Sequence, residues 1–163
     1  MIPIVFAHGL EGSPEGRKIQ YLRSSGFHVV APDGRGLALA DRLVGLEEAT
    51  RGGGILLAGS SYGGLAAAHL ALVYPERFVG LLLMAPALHH SESPVLDASR
   101  LQPPGGLPTT VIHGSQDMVV PIEVSRRYCV HGATFIEVDD DHRLTRSLDS
   151  IAAAAEALLK GQA

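Results

Sequence analysis

The sequence predicts an α/β fold, a three-layer α/β/α sandwich built on a mainly parallel sheet of about six strands. Three observations predict it. Short β-branched or leucine-rich runs alternate along the chain with segments of helical length and spacing. The strand runs are apolar on both faces, as a parallel sheet covered by helices on each side requires. The polar, potentially reactive residues gather where strands end, at His8, Asp33, Ser61, His113 to Asp117 and Asp139 to His142, the edge on which such sheets bind ligands.

Ile2 to Ala7 is a β-branched and aromatic run that stops at His8-Gly9, so it reads as a buried strand ending in a turn. Over Pro14 to Ser25, Ile19 and Leu22 lie three apart among polar residues, with Pro14 in the first turn and Gly26 as the stop, which predicts a helix. Phe27 to Ala31 is a second strand, ended by Pro32-Asp33-Gly34-Arg35-Gly36. Leu39, Leu43 and Leu46 then recur at helical spacing up to the glycines at 52–54. Ile55 to Ala58 is a third strand, followed by a Gly-Ser turn and an Ala/Leu-rich helix over Leu65 to Tyr74, stopped at Pro75. Phe78 to Met84 is the fourth strand. Prolines and a Gly pair in His89 to Pro108 allow no long regular element and predict a surface excursion. Thr109 to Ile112 is the fifth strand, Pro121 to Val130 a helix, Thr134 to Val138 the sixth strand, and Leu144 to Lys160 a closing Ala-rich helix.

Composition excludes several classes. At 163 residues, 46% hydrophobic and 18% charged, the chain is expected to form one domain, residues 1–163, with a core adequate for independent folding. A formal net charge of −4 without any basic block argues against a nucleic-acid partner. The longest dense apolar stretch, Phe78 to Leu88, has eleven residues, against about 20 for a membrane span. The start, Met1-Ile2-Pro3-Ile4-Val5-Phe6, lacks the basic region of a signal peptide. The single cysteine, Cys129, cannot form an internal disulfide, so a reducing cytoplasm is expected.

Gly59-Ser60-Ser61-Tyr62-Gly63 has the form G-x-S-x-G between a strand and a helix. A serine there stands on a tight turn, with its Oγ clear of the sheet and the helix N-terminus behind it to stabilise negative charge. Serine needs a base, and the base needs an acid to orient it. Asp117, after the fifth strand, and His142, after the sixth, supply both, in the order Ser, Asp, His. Asp141 is the reserve acid. His8 and His113 read as turn or cleft-wall histidines, His89 and His90 as surface histidines, Asp33 as a turn-former and Cys129 as a buried, inert thiol. The Asp139-Asp140-Asp141 run lacks the spacing of a metal motif and reads as a solvated loop beside His142.

His8-Gly9-Leu10, Gly59-Ser60-Ser61-Tyr62-Gly63-Gly64, His113-Gly114-Ser115-Gln116-Asp117-Met118-Val119-Val120-Pro121 and Asp141-His142 together resemble, in order and over nearly the whole chain, the signatures of the α/β-hydrolase superfamily. The small, lid-poor serine esterases and thioesterases are the most similar members. The resemblance implies a minimal α/β-hydrolase fold without the family's antiparallel edge strands or a large lid. It makes Ser61 the nucleophile, His142 the base and Asp117 the acid, with Gly59 and Gly63 shaping the nucleophile elbow. It also implies backbone N–H groups of Leu10 and Tyr62 as the oxyanion hole. The expected activity is hydrolysis of a small-molecule ester or thioester through an acyl-enzyme, with no cofactor, by a monomer or homodimer. Acyl transfer, carbon–carbon bond hydrolysis and a non-catalytic binding role on the same fold stay open at the level of sequence. Leu88, Val95, Leu96 and Leu101 in the excursion at 88–107 are expected to wall an acyl site.

Overall fold

The computed structural model describes residues 1–162. Six strands, β1 (Ile4–Ala7), β2 (Val29–Val30), β3 (Ile55–Ser60), β4 (Phe78–Met84), β5 (Thr109–Gly114) and β6 (Thr134–Val138), form one sheet in the order β2-β1-β3-β4-β5-β6. Every pairing is parallel. Helices α1 (Arg17–Ser24) and α5 (Leu148–Lys160) cover one face, and α2 (Leu39–Thr50), α3 (Tyr62–Val73) and α4 (Ile122–Cys129) the other.

The alternation of strand side chains divides the core in two. Val5, Leu57, Leu81, Leu83 and Val111 face α2, α3 and α4. Ile4, Phe6, Leu56, Leu82 and Ile112 face α1 and α5. Successive residues of a strand point to opposite faces, so a run that is apolar throughout can be buried only with helices on both sides. The alanines of α5 let it lie close to the sheet, and Ala154 and Ala155 are buried there.

Several boundaries differ from the sequence expectation, for local reasons. Pro14 lies in a turn, and α1 starts at Arg17. The second strand contracts to Val29–Val30 because it is an edge strand with only β1 beside it. Helix α3 begins at Tyr62, so Gly63 and Gly64 are helical despite their low propensity. A Cβ on Gly63 would overlap the Ala7 carbonyl, so the glycine lets α3 rest directly on the end of β1. Helix α5 begins only at Leu148, because residues 139–147 form the loop around Asp140.

The excursion after β4 contains a short 3-10 turn over Ala98–Arg100 and an isolated bridge between Glu92 and Leu96, with no lid helix among the described residues. Its apolar residues turn inward. Leu88, Leu96 and Leu107 are buried in the core cluster on the sheet face covered by α2, α3 and α4, with Val95 and Leu101 packed against it. The expected apolar wall is therefore corrected for the buried leucines: burial in the core gains more than lining an open cleft. Among the described residues no helix is long and apolar enough to cross a membrane.

Candidate active site

The chain leaves β1 for β2 on one side and crosses to β3 on the other, so the sheet order reverses between β1 and β3. Ala7 pairs with Gly59 at this point. The His8-Gly9 turn and Ser61 therefore leave adjacent strand ends, at the crevice such a reversal opens.

Ser61 has φ 54° and ψ −116°, a conformation that costs a non-glycine residue about 1–3 kcal/mol. Its surroundings hold it there: Ser61 N–H donates to Met84 O at 3.0 Å, and Ser61 O accepts from Ala87 and Leu65 N–H at 3.0 and 3.1 Å. Gly59 permits the turn, since a Cβ there would lie 2.5 Å from Gly63 O and 2.8 Å from Gly64 Cα.

His142 Nε2 lies 2.9 Å from Ser61 Oγ, and its Nδ1 lies 2.7 Å from Asp117 Oδ2. Nδ1 therefore donates to the carboxylate, leaving Nε2 to accept from the serine hydroxyl. Asp117 has no exposed side-chain surface, whereas His142 keeps 20% of its own. Burial alone would raise the Asp117 carboxyl. The N–H groups of Val120 and Val119, each 2.8 Å from Oδ1, and the His142 imidazole outweigh it and hold the carboxyl below its ordinary value. Gly114 lets the loops carrying Asp117 and His142 meet, because a Cβ there would overlap the Asp140 carbonyl. Gln116 N–H stitches them together by donating to Asp140 O at 3.0 Å.

The backbone N–H groups of Leu10 and Tyr62 have no acceptor among the described residues. The turn bearing Leu10 is held by a residue that sequence reasoning missed. Arg42, on α2, is only 5% exposed. Its Nη1 donates to His8 O at 2.6 Å and its Nη2 to Gly9 O at 3.2 Å, while its guanidinium lies 4.9 Å from the centroid of the Tyr62 ring. It thus ties together both turns that flank Ser61. The signal was present: Leu39, Arg42, Leu43 and Leu46 share one helix face, and an arginine inside an apolar stripe needs buried partners. His8 packs beneath the same turn, its Nδ1–H donating to Gly9 O at 2.8 Å and its Nε2 accepting from Gly34 N–H at 2.9 Å. Burial lowers its pKa and so favours the neutral form.

The other candidates separate cleanly. Asp141 is exposed and accepts from Arg143 N–H, so it does not reach His142 as the reserve acid. The expectation of a solvated aspartate loop fails for Asp140, which is 1% exposed and accepts from Ser147 Oγ–H and from the N–H groups of Asp141 and Arg146. It ties down the loop that carries His142. His113 is no cleft wall: it is fully buried in β5. Asp33 pairs with the Arg35 side chain and backbone, as a turn-former does. Cys129 is buried, and burial raises its thiol pKa to about 11. His89 and His90 are exposed, and His90 lies 3.2 Å from Glu92, whose carboxylate also accepts from the Tyr62 hydroxyl. The side chain of Tyr62, next in sequence to Ser61, thus meets Glu92 at its hydroxyl and Arg42 at its ring face. No group of three or more His, Cys, Asp or Glu residues among the described residues is arranged to hold a metal ion.

No protein-family model matches the chain, and no curated protein sequence does. Solved structures do. A protein from Xanthomonas campestris pv. campestris described as a hydrolase of the alpha/beta superfamily is 26% identical, with 99% of each chain covered and a TM-score of 0.82. Est1E from Butyrivibrio proteoclasticus is 19% identical over 99% of this chain and 88% of its own, with a TM-score of 0.76. A monoacylglycerol lipase from Paleococcus ferrophilus is 18% identical over 98% of this chain and 96% of its own, with a TM-score of 0.74. The last two share the fold, and the first matches end to end with no large insertion on either side. Sheet order, strand-end turns and these likenesses agree, and the chain is a member of the α/β-hydrolase superfamily.

Proposed function

We propose that this hydrolase is a serine esterase or thioesterase in which Ser61, His142 and Asp117 form the catalytic triad. The observation that carries the reading is the unbroken line from Asp117 Oδ2 through the two imidazole nitrogens to Ser61 Oγ, with spacings of 2.7 and 2.9 Å. Ser61 Oγ attacks the acyl carbonyl as His142 Nε2 takes its proton, and Asp117 stabilises the imidazolium. The carbonyl oxygen becomes an oxyanion held by the N–H groups of Leu10 and Tyr62. The leaving alcohol or thiol departs with the proton from His142, forming the acyl-enzyme. Water then attacks, gives its proton to His142, and releases the carboxylic acid as Ser61 is reprotonated. Each step uses only groups of this chain, substrate and water.

The inward turn of Leu88, Leu96 and Leu107 and the polar neighbours of Tyr62 favour short or polar acyl groups over long chains. Exposure of the folded protein to a fluorophosphonate followed by mass measurement tests the nucleophile. One adduct on Ser61, absent from Ser61→Ala, is expected, and a folded protein without adduct overturns the reading. A chain-length series of p-nitrophenyl esters beside acyl-CoA thioesters tests the substrate class. Activity falling beyond the shortest acyl chains is the expected outcome.

A further inference from the structure

His113 and Ser125 take no part in the reaction just described, yet both are fully buried and both are polar. His113 lies in β5 against α4. Its Nδ1 is 2.7 Å from Ser125 Oγ, while its Nε2 is 3.0 Å from Val120 O and 3.0 Å from Asp117 Oδ2. Nε2 faces two oxygens that can only accept, so it carries the proton. Nδ1 is then an acceptor, and the Ser125 hydroxyl donates to it. The Nε2–H is aligned on Val120 O, with Asp117 Oδ2 beside it.

This arrangement grips the acid twice. Val120 is the residue whose N–H donates to Asp117 Oδ1, so His113 anchors through Val120 O the turn that wraps the carboxylate. The same imidazole edge also sits against Oδ2, the oxygen that receives His142 Nδ1–H. A leucine would fill the space, but only a group with a donor at one end and an acceptor at the other satisfies Ser125, Val120 and Asp117 together.

We propose that His113, with its tautomer set by Ser125, is a positioning residue for Asp117: it fixes the carboxylate's orientation and, through a neutral N–H, withholds part of its charge from His142. The proposal rests on the triad reading above. His113 itself faces Asp117 and His142, while Asp140, Asp141, Arg143 and Lys18 surround the loop that bears His142. Those outer groups are common to every variant in the test.

The test compares His113→Leu, His113→Gln and Ser125→Ala with the unaltered protein. One readout is the pH profile of kcat and kcat/KM on p-nitrophenyl acetate. The other is the imidazole NMR titration of His142 in a Ser61→Ala background, which needs no activity. Leucine removes the donor, so the carboxylate acts more strongly on His142. The titration and the acid limb of kcat/KM are expected to move upward by roughly half a unit to one unit. Loosening of the acid should lower kcat about tenfold, with KM within about twofold. Glutamine places an N–H near the position of Nε2 and should restore most of both. Ser125→Ala should shift the titration in the same direction as leucine, by less. A folded His113→Leu protein with unchanged kcat and unchanged titration overturns the proposal, as does a glutamine variant no better than leucine. If His113→Leu does not fold, Ser125→Ala decides: a shift supports the proposal and its absence refutes it. Failure of the triad reading would appear separately, as an unaltered protein that takes no fluorophosphonate on Ser61.

Discussion

Replacing Arg42 by methionine isolates the contribution of the buried guanidinium, because methionine keeps the aliphatic volume and discards the donors. His8 O would lose the 2.6 Å hydrogen bond that Arg42 provides. Gly9 O would keep donors in Gly12 N–H and His8 Nδ1–H. One orphaned buried carbonyl costs about 1–3 kcal/mol, and losing the guanidinium from the Tyr62 face about 0.5–1 kcal/mol more. Against this, the variant no longer buries a charged group whose Nε has no acceptor among the described residues, which returns about 1–2 kcal/mol. At the midpoints of these ranges the net loss is about 1 kcal/mol, or a fall in Tm of roughly 2–5 °C for a chain of this length. The catalytic effect should be the larger one. Removing one oxyanion donor costs about 10²–10³ in turnover; under the proposed function the Leu10 N–H is such a donor and is loosened rather than deleted, so kcat should drop by about 10–100-fold with KM little changed. Arg42→Lys should recover only part, since one ammonium cannot span two carbonyls and cover a ring. Thermal melts and steady-state kinetics on a short p-nitrophenyl ester check both numbers. A folded Arg42→Met protein with kcat within twofold of the unaltered one would refute the argument that this arginine sets the oxyanion turn.

Other perturbations test other parts of the structure. Asp117→Asn should lower kcat by about 10⁴, because the amide favours the wrong imidazole tautomer. The depressed Asp117 carboxyl contributes stability that is present above its unfolded value near 4 and is lost as pH falls through its lower folded value. Urea midpoints between pH 2 and 5 should therefore depend less on pH in the asparagine variant. Lys18 is lowered to about 8, chiefly by burial and despite Asp140 and Asp141 nearby. Its ammonium therefore penalises the fold below pH 8, and the penalty disappears as pH rises from 8 toward the unfolded value near 10.4. Lys18→Met should be more stable by about 1–3 kcal/mol at pH 7, with the advantage shrinking steadily above pH 8 in denaturant titrations. Cys129, its thiol raised by burial, should resist Ellman's reagent at pH 8 in the folded protein and react at once in denaturant.

The sequence by itself determined the layered architecture, since strand runs apolar on both faces leave a helix-covered parallel sheet as their way of excluding water. It also named the residues from which the proposed triad is drawn. Ser61, Asp117 and His142 are legible because each lies in the turn or loop that leaves the end of a strand, and a parallel sheet brings its strand ends to one edge whatever the distance along the chain. Only the tertiary structure could decide how the remaining polar residues are used. Asp139, Asp140 and Asp141 are one run of identical letters, yet Asp140 alone turns inward, because Ser147 and two backbone N–H groups meet it there. Arg42 and His113 are ordinary residues in their own segments, and their partners lie in other elements, His8 and Gly9 after β1 for the one and Ser125 in α4 for the other. The leucines after β4 suggested an acyl wall because local sequence records how apolar a loop is, not which way it folds. Direction is set by the competition among all surfaces for burial, and that competition is resolved only when the whole chain packs.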